Sequence, residues 1–175
     1  FFKAAQARHA QPELLQPERR TAAEAPGTWL AVLDIDHFKR VNDNFGHLIG
    51  DEVLLLLARL MRANFRFHDQ LYRFGGEEFV ILMRCPSADD ALSALERLRH
   101  RVEEHVFPQV GQITVSIGFA CLQGNDTPGA AFGRADQAVY YAKEHGRNQC
   151  CSYDQLVQTG ALEQAKAEAM DVDLF

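Results

Sequence analysis

The amino-acid sequence predicts an α+β domain in which a central, mostly antiparallel five-stranded sheet is flanked by helices. The chain has 175 residues, of which 47% are hydrophobic and 24% charged, an ordinary composition for a globular domain with a sizeable core. Its apolar patterns follow one another in the order β-α-α-β-β-α-β-α-β. Two strand-like runs at the centre are joined by a glycine turn, which indicates a hairpin and favours antiparallel pairing.

Five segments are typical of strands. The first, "TWLAVLDID" (28–36), is an apolar run that ends in acids, as expected of a buried strand that delivers carboxylates at its tip. "QLYRF" (70–74) and "FVILM" (79–83) flank the sequence "GGEE". "QITVSIGFACL" (112–122) alternates and is rich in β-branched residues, and "NQCCSY" (148–153) is a short last strand.

Four segments are typical of helices. A short helical stretch follows the first strand and is predicted to be broken at Gly46 and Gly50. A second helix is predicted from Asp51 to about Phe65, with Asp51 as its N-cap. The segment 87–105 is amphipathic, with an apolar face formed by Ala91, Leu95, Leu98 and Val102. The segment 128–146 is predicted to stop at Gly146.

The ends of the chain differ in composition from its middle. Residues 1–27 are interrupted by Pro12 and Pro17 and are predicted to be the end of a linker or stalk. Residues 28–155 are predicted to form the domain, and residues 156–175 an acidic, Ala-rich tail that is a short helix or unordered.

Charge and hydropathy narrow the cellular setting. The net charge of −6 and pI near 5.6 argue against a nucleic-acid partner. No apolar run reaches the roughly 20 residues of a membrane helix, and the start of the chain lacks a signal-peptide layout. We therefore expect a cytoplasmic protein, or the cytosolic domain of a larger sensor protein.

The cysteines and histidines do not suggest a metal centre. Cys85, Cys121, Cys150 and Cys151 lack metal-ligand spacing, and the histidines are scattered, so zinc is not expected. Adjacent cysteines in a strand point to opposite faces, so we predict reduced, structural thiols.

Acidic residues cluster at two predicted strand ends: Asp34 and Asp36 after the first strand, and Glu77 and Glu78 in the hairpin turn. Neighbouring strands would bring these tips together. Hard oxygen ligands from two elements, with the remaining positions left for water and phosphate, are typical of a Mg²⁺ site for nucleotide chemistry.

The two glycines of the turn fit the same chemistry. Gly75 and Gly76 allow a positive φ and leave no Cβ between the backbone and a bound phosphate. A "GGEE" sequence by itself is equally the turn of a solvated hairpin.

Four ordered motifs resemble the GGDEF family of diguanylate cyclases over about Trp29 to Tyr153. They are "DIDHFKRVNDNFGHLIGDE", "RFGGEEF", "TVSIGFA" and "ADQAVYYAKEHGRN". The family signature carries Asp or Glu at its third position, so the resemblance implies that "GGEEF" is an active form. It also implies a fold similar to that of nucleotidyl cyclases and polymerase palms. Such enzymes condense two GTP into cyclic di-GMP and release two pyrophosphates.

The resemblance implies roles for individual residues. Asp34 and Glu77 would hold Mg²⁺ or Mn²⁺ with the carbonyl of Ile35, and Glu78 would make a second metal contact and help to deprotonate the attacking hydroxyl. The remaining implied contacts are to the substrate: His37, Phe38 and Lys39 at the β- and γ-phosphates, Lys143 and Arg147 as a triphosphate clamp one turn apart on the last long helix, and Asn42 and Asp51 at guanine.

Asp36 is left with two alternatives. It binds metal beside Asp34 if the strand stays regular, and otherwise it is a local hydrogen-bond acceptor.

The reaction and a second motif imply assembly and regulation. One chain supplies one nucleotide site, so a homodimer with the active site across its interface is expected. "RFHD", with Arg66 and Asp69, matches the family's inhibitory site for cyclic di-GMP, and Arg97 is a weaker candidate for a second arm. An upstream sensory domain would act on how two chains are held.

The sequence also departs from the family. The usual "D-x-LTGL-x-NRR" opening is absent, and residues 10–27 read "AQPELLQPERRTAAEAPG". This departure affects the packing of the N-terminal part and none of the metal, base or phosphate residues.

Two rival functions are a non-catalytic module that binds GTP or cyclic di-GMP, and a different nucleotidyl cyclase or palm enzyme.

Overall fold

The computed structural model describes residues 27–163, which form ten helices and strands. In chain order these are β1 (Gly27–Ile35), α1 (Phe38–Phe45), α2 (His47–Asn64), β2 (Gln70–Arg73), β3 (Glu78–Cys85), α3 (Ala88–Glu104), β4 (Val115–Cys121), α4 (Pro128–Glu144), β5 (Cys150–Ser152) and α5 (Tyr153–Gln158). The predicted order of nine elements is confirmed, and α5 is added at the end.

The five strands form one sheet in the order β2-β3-β1-β4-β5. All neighbouring pairs are antiparallel except β4 and β5, which are parallel. The predicted central hairpin is the pair β2 and β3. The fold class predicted from the sequence is therefore confirmed, with one parallel pair at the edge.

Strand β1 has two buried faces because apolar residues occupy nearly all of its positions. Side chains alternate along a strand, so Ala31, Leu33 and Ile35 pack into the larger core with helices α1, α2 and α3. Leu30 and Val32 pack on the opposite face against helix α4. Alternation places the next even position, Asp34, on the α4 face of the sheet.

Helix α4 lies close to the sheet at Gly118 of β4. A Cβ at this position would overlap the carbonyl oxygen of Ala135 and the amide nitrogen of Val139, and would lie 2.7 Å from the carbonyl carbon of Ala138. These are backbone atoms, which cannot move aside as the end of a side chain can. Glycine at 118 and the alanines of α4 therefore allow the helix to seat directly on the strand.

Helix α2 begins earlier than predicted, so Asp51 is not its N-cap. The chain leaves α1 through Gly46, with φ 83°, and enters α2 at His47. The amide of Gly50 donates to the carbonyl of Gly46, which places Gly50 inside the helix instead of in a break. Asp51 is consequently an exposed residue of the second turn.

Helix α4 ends sooner than predicted, so Lys143 and Arg147 are not one turn apart on it. The helix ends at Glu144, and Gly146, Arg147 and Asn148 follow with φ of 109°, 62° and 46°. Three successive left-handed residues turn the chain away from the helix axis. Arg147 therefore lies on the loop between α4 and β5.

Smaller differences concern strand ends and termini. β1 ends at Ile35, one residue before its predicted end, and β4 begins at Val115, three residues after its predicted start. The predicted linker and most of the tail lie outside the described residues, and the proposed domain boundaries stay predictions. All four cysteines are free thiols. Within residues 27–163, no helix has both the length and the apolarity needed to cross a membrane.

We expect Gly118→Ala to destabilise the fold by about 3 kcal/mol, because the added methyl group forces α4 away from β4. Chemical denaturation measures this change. The matched control is Gly133→Ala on α4 itself, where an added Cβ meets no atom within 4 Å. Since alanine is the better helix former, that variant should be slightly more stable than the wild type. Equal stability of the two variants would contradict the close seating of α4.

The loop before α4 is held by an ion pair whose effect on stability depends on pH. Arg134 donates to both carboxylate oxygens of Asp126, at 2.7 and 2.6 Å, and to the carbonyl of Cys121. The hydrogen bonds from Arg134 lower the pKa of Asp126 to about 2. A carboxyl whose pKa is lower in the folded state stabilises the fold above its ordinary pKa and ceases to do so as pH falls through its folded value.

We therefore expect Asp126→Asn to be less stable than the wild type at pH 6, and the difference to shrink between about pH 4 and pH 2. Thermal unfolding followed by circular dichroism across this range measures it. A difference that stays constant down to pH 2 would show that the Asp126 charge does not carry the stabilisation.

Candidate active site

Two carboxylates lie side by side on the α4 face of the sheet. Asp34 of β1 is directly paired with Glu78, the first residue of β3. Directly opposed residues of an antiparallel pair project to the same face, with Cβ atoms about 5 Å apart. Glu77 precedes Glu78 in the turn and is half-buried. The sheet register thus brings Asp34 beside the acids of the hairpin turn.

Lys143 of α4 lies against this group of acids on the α4 face of the sheet. Its ammonium lies 2.8 Å from Oδ2 of Asp34, whose side chain is only 6% exposed. Burial raises the pKa of Asp34, and the hydrogen bond and charge of Lys143 oppose this rise without cancelling it. Burial also raises the pKa of Glu77, and the negative charge of Asp34 raises it further. The acids are close enough to repel each other, and one cation offsets part of that repulsion.

The turn between β2 and β3 is held by Arg73, a residue that the sequence reasoning did not single out. Its guanidinium donates to the carbonyls of Gly75 and Gly76, at 3.2 and 2.9 Å. The amide of Phe74 donates to the carbonyl of Glu78 and closes the hairpin. An arginine directly before a glycine turn, where backbone carbonyls are left without strand partners, is the signal that points to this role.

The two glycines of the turn differ in what surrounds them. Neither Gly75 nor Gly76 has the positive φ that glycine allows. A Cβ at Gly75 would lie 2.9 Å from Oε2 of Glu78, so glycine there leaves room for this carboxylate in its observed position. A Cβ at Gly76 would meet nothing within 4 Å, so the backbone there is open to an approaching group.

The turn from β1 into α1 presents the start of a helix beside these acids. His37 has φ 57° and precedes α1 without capping it by its side chain. Phe38 is buried in the main core, whereas Lys39 is exposed. The first amides of a helix have no acceptor within it, so this turn is suited to an anion.

Asp36 is engaged as a hydrogen-bond acceptor, the second of its two alternatives. β1 ends at Ile35, so the alternation that would align Asp36 with Asp34 is broken. The buried carboxylate accepts from the hydroxyls of Thr114 and Ser116, both at 2.7 Å, and from the amide of Asn148 at 3.0 Å. It joins the ends of β1 and β4 to the loop after α4.

Asn42 of α1 packs against Gly50, the residue before Asp51 on α2. A Cβ at position 50 would overlap Oδ1 of Asn42, so glycine there leaves room for the amide. Asp51 lies at the edge of a cavity of about 440 Å³ between α2 and the hairpin, with apolar walls that include Leu54, Leu55, Tyr72 and Phe79. This arrangement combines a mostly apolar space with a carboxylate.

The "RFHD" segment forms a tight turn directly after α2. The amide of Arg66 donates to Oδ2 of Asp69 at 2.9 Å, and the amide of Asp69 donates to the carbonyl of Arg66. Arg97 of α3 lies beside this turn, because its guanidinium donates to the side chain and carbonyl of Asn64 at the end of α2. The exposed side chains of Arg66 and Arg97 therefore lie on the same surface.

The donor set fits a hard divalent cation, although three acidic side chains do not converge. Within residues 27–163, no group of three or more His, Cys, Asp or Glu side chains is arranged to hold a metal ion. Asp34 and Glu77 repel each other electrostatically, and a cation between them would relieve this repulsion. Two carboxylates with a backbone carbonyl and substrate phosphates are a sufficient oxygen set for Mg²⁺.

Comparison with known proteins identifies the family. Residues 7–149 match the family model described as diguanylate cyclase, GGDEF domain. The chain therefore belongs to the GGDEF family of diguanylate cyclases, which confirms the family predicted from the four motifs.

Individual relatives agree with this assignment. The diguanylate cyclase DgcP of Pseudomonas aeruginosa is 49% identical over 122 residues, which cover 68% of this chain and 18% of DgcP. The chain therefore spans a small part of that relative's length.

Two solved structures are also similar. The GGDEF domain of DgcB from Caulobacter crescentus, in complex with c-di-GMP, superposes with a TM-score of 0.70 at 34% identity, covering 74% of this chain and 79% of that chain. The active GGEEF domain of a diguanylate cyclase from Vibrio cholerae has a TM-score of 0.67 at 40% identity, covering 74% and 83%.

Proposed function

We propose that this chain is a diguanylate cyclase domain that condenses two GTP into cyclic di-GMP. In each half-reaction the 3′-hydroxyl of one GTP attacks the α-phosphorus of the other, a new P–O bond forms, and pyrophosphate leaves. The observation that carries the proposal is the grouping of Asp34, Glu78 and Lys143 on one face of the sheet. Family membership supports the same reading.

Glu78 is the proposed acceptor of the hydroxyl proton. It occupies the first position of β3, where strand pairing fixes its backbone beside Asp34. The lack of a Cβ at Gly75 leaves the space that its carboxylate occupies. A base that is held in place by the sheet can accept a proton during attack without a separate rearrangement.

The triphosphate is proposed to lie between the β1–α1 turn and the end of α4. The open amides at His37 and Phe38, the exposed Lys39, and Lys143 with Arg147 supply donors and positive charge on its two sides. Lys143 now pairs with Asp34, and part of that interaction would pass to the phosphates. The backbone at Gly76 leaves the approach open.

Mg²⁺ or Mn²⁺ is proposed to be held by Asp34, Glu77 and the carbonyl of Ile35, with a further contact from Glu78. When bound, such an ion neutralises charge on the phosphates of the reacting nucleotide. The protein residues orient it and relieve their own repulsion in doing so.

Guanine is proposed to enter the cavity beside Asp51. An ionised carboxylate can accept from both N1–H and the exocyclic amine of guanine, and adenine offers no such pair of donors. The apolar walls at Leu54 and Phe79 suit the faces of a base, while Asn42 is positioned by its contact with Gly50. A nucleotide that leaves these polar groups unpaired is rejected strongly.

The reaction requires two chains, because each site described here holds one nucleotide. A homodimer in which two such sites face each other would give each 3′-hydroxyl access to the other α-phosphate. The curated relative is much longer than this chain, and we propose that an additional sensory region controls how the two chains meet.

We expect the protein with GTP and Mg²⁺ to produce cyclic di-GMP, detected by mass spectrometry, with a rate per chain that rises with protein concentration. Glu78→Ala should lower turnover by about a hundredfold or more, because the proposed proton acceptor is lost. Its melting temperature should stay close to that of the wild type.

The matched control is Glu104→Ala, which removes an exposed glutamate at the end of α3 and should leave turnover unchanged. If a demonstrated dimer binds GTP and releases no product, the enzyme proposal is wrong and a non-catalytic nucleotide-binding module is favoured. Product formed from ATP as readily as from GTP would contradict the role of Asp51.

The Arg66–Asp69 turn is proposed to bind the product as an inhibitor. Arg66 offers a planar fork for guanine edges and phosphates, and Asp69 an acceptor for guanine donors. Arg97 lies next to this turn through its contacts with Asn64, which supports its place as a second arm. The neighbouring Phe67 is fully exposed and gives an aromatic surface for stacking.

We expect Arg66→Ala to raise the concentration of cyclic di-GMP needed for half-inhibition by about tenfold or more, because a hydrogen-bonded charge is lost. The measurement is the initial rate with added product, divided by the rate of the same variant without it. Arg59→Ala, which removes an exposed arginine from α2, is the control and should be inhibited like the wild type. Unchanged inhibition of Arg66→Ala would reject this assignment.

A further inference from the structure

The loop that carries Arg147 has a conformation that needs support. Gly146, Arg147 and Asn148 all have positive φ, at 109°, 62° and 46°. Glycine adopts this region freely, whereas an arginine does so at a cost in free energy. The amide of Arg147 donates to the carbonyl of Ala142, and the side-chain amide of Gln149 donates to the carbonyls of Ala142 and His145. Asn148 adds contacts to α3 and to Asp36.

Asn148 uses its side-chain amide to reach helix α3. Its Oδ1 accepts from Nη1 of Arg99 at 2.9 Å, and its Nδ2 donates to Oε1 of Glu103 at 2.8 Å. Arg99 is buried and also donates to Glu96 at 2.7 Å and to Glu103 at 3.0 Å. An asparagine with both ends of its amide bonded to a charged, mutually paired set has its orientation fixed.

The backbone of Asn148 reaches the other side of the loop. Its amide donates to Oδ2 of Asp36 at 3.0 Å, and Asp36 is itself held by Thr114 and Ser116 of the β4 region. Asp36 directly precedes His37 and the start of α1. Asn148 therefore ties the loop after α4 to the turn that leads from β1 into α1.

We propose that Asn148 is a positioning residue for the triphosphate end of the nucleotide. By clamping the loop between α3 and Asp36, it holds the backbone of Arg147 at a set distance from the β1–α1 turn, so that the exposed guanidinium meets the β- and γ-phosphates. The inference rests on the proposed role of Arg147. Asn148 itself touches no part of the substrate in this mechanism.

A purely structural role would give a different result. If the Asn148 network only stabilised the fold, its loss would lower the melting temperature and weaken the binding of all nucleotides alike. If it positions Arg147, its loss should weaken the binding of ligands that carry the β- and γ-phosphates and leave the binding of other ligands unchanged.

The test variant is Asn148→Gly, because glycine accepts φ 46° and keeps the backbone amide that donates to Asp36 while removing the contacts to α3. Binding of 3′-deoxy-GTP, which lacks the attacking hydroxyl, and of GMP is measured by calorimetry in the presence of Mg²⁺. Arg147→Ala and the double variant complete a cycle.

We expect Arg147→Ala to lower the affinity for 3′-deoxy-GTP by about tenfold, because a charged donor is lost. Asn148→Gly should lower this affinity by about three- to tenfold. GMP should bind both variants within about twofold of the wild type. The double variant should bind 3′-deoxy-GTP no more weakly than Arg147→Ala alone, because Asn148 acts through Arg147.

Asp126→Asn is the control for stability, since it removes a buried ion pair before α4 and should leave both affinities unchanged. Wild-type affinity of Asn148→Gly for 3′-deoxy-GTP, an equal loss for GMP, or losses that multiply in the double variant would each overturn the inference. If Arg147→Ala binds 3′-deoxy-GTP like the wild type, the proposed role of Arg147 is wrong and the inference falls with it.

Discussion

The seating of α4 on β4 is the contact on which the candidate site depends. At Gly118 the helix backbone lies so close to the strand that no side chain fits between them. This contact sets the height of α4 above the sheet, and the ammonium of Lys143 then reaches Oδ2 of Asp34 at 2.8 Å. A helix lifted by even one methyl group would lengthen that ion pair. Packing in the middle of α4 thus controls electrostatics near its end.

The two-sided burial of β1 explains why the acids lie where they do. Its odd positions build the large core with α1, α2 and α3, and its even positions face α4. Asp34 is the next even-numbered residue at the end of the strand, so its side chain is buried on the face that packs against α4 and contacts Lys143. The same pairing that aligns the core of β1 and β3 aligns Asp34 with Glu78. One sheet register therefore serves both stability and the site.

Local patterns in the sequence were enough for the strands, the hairpin and the acids at its tip, because alternation and turn composition act over a few residues. They were not enough where a distant contact decides. Gly50 was interpreted as a break, yet it lies within α2 and leaves room for Asn42, so Asp51 is not a cap. Arg147 was placed on α4, but the chain turns away after Glu144 and is held by Asp36 and α3. Arg73 was passed over because an arginine before a glycine turn is a weak signal, which does not by itself identify the turn's carbonyls as its partners.

The buried acids of the site lower the stability of the fold at neutral pH. Burial raises the pKa of Asp34 and of Glu77, the charge of Asp34 raises the pKa of Glu77 further, and Lys143 partly offsets both rises. A carboxyl whose pKa is higher in the folded than in the unfolded state destabilises the ionised fold, so these groups oppose folding at neutral pH. A core of apolar residues would avoid this cost at the same positions. Crowded acids beside one lysine instead suit the proposed site for a cation and a polyphosphate, in which the charges that repel in the free protein would serve as ligands. The electrostatic repulsion is therefore confined to the place where the proposed chemistry occurs. The surrounding sheet and α4 hold the acids in that arrangement.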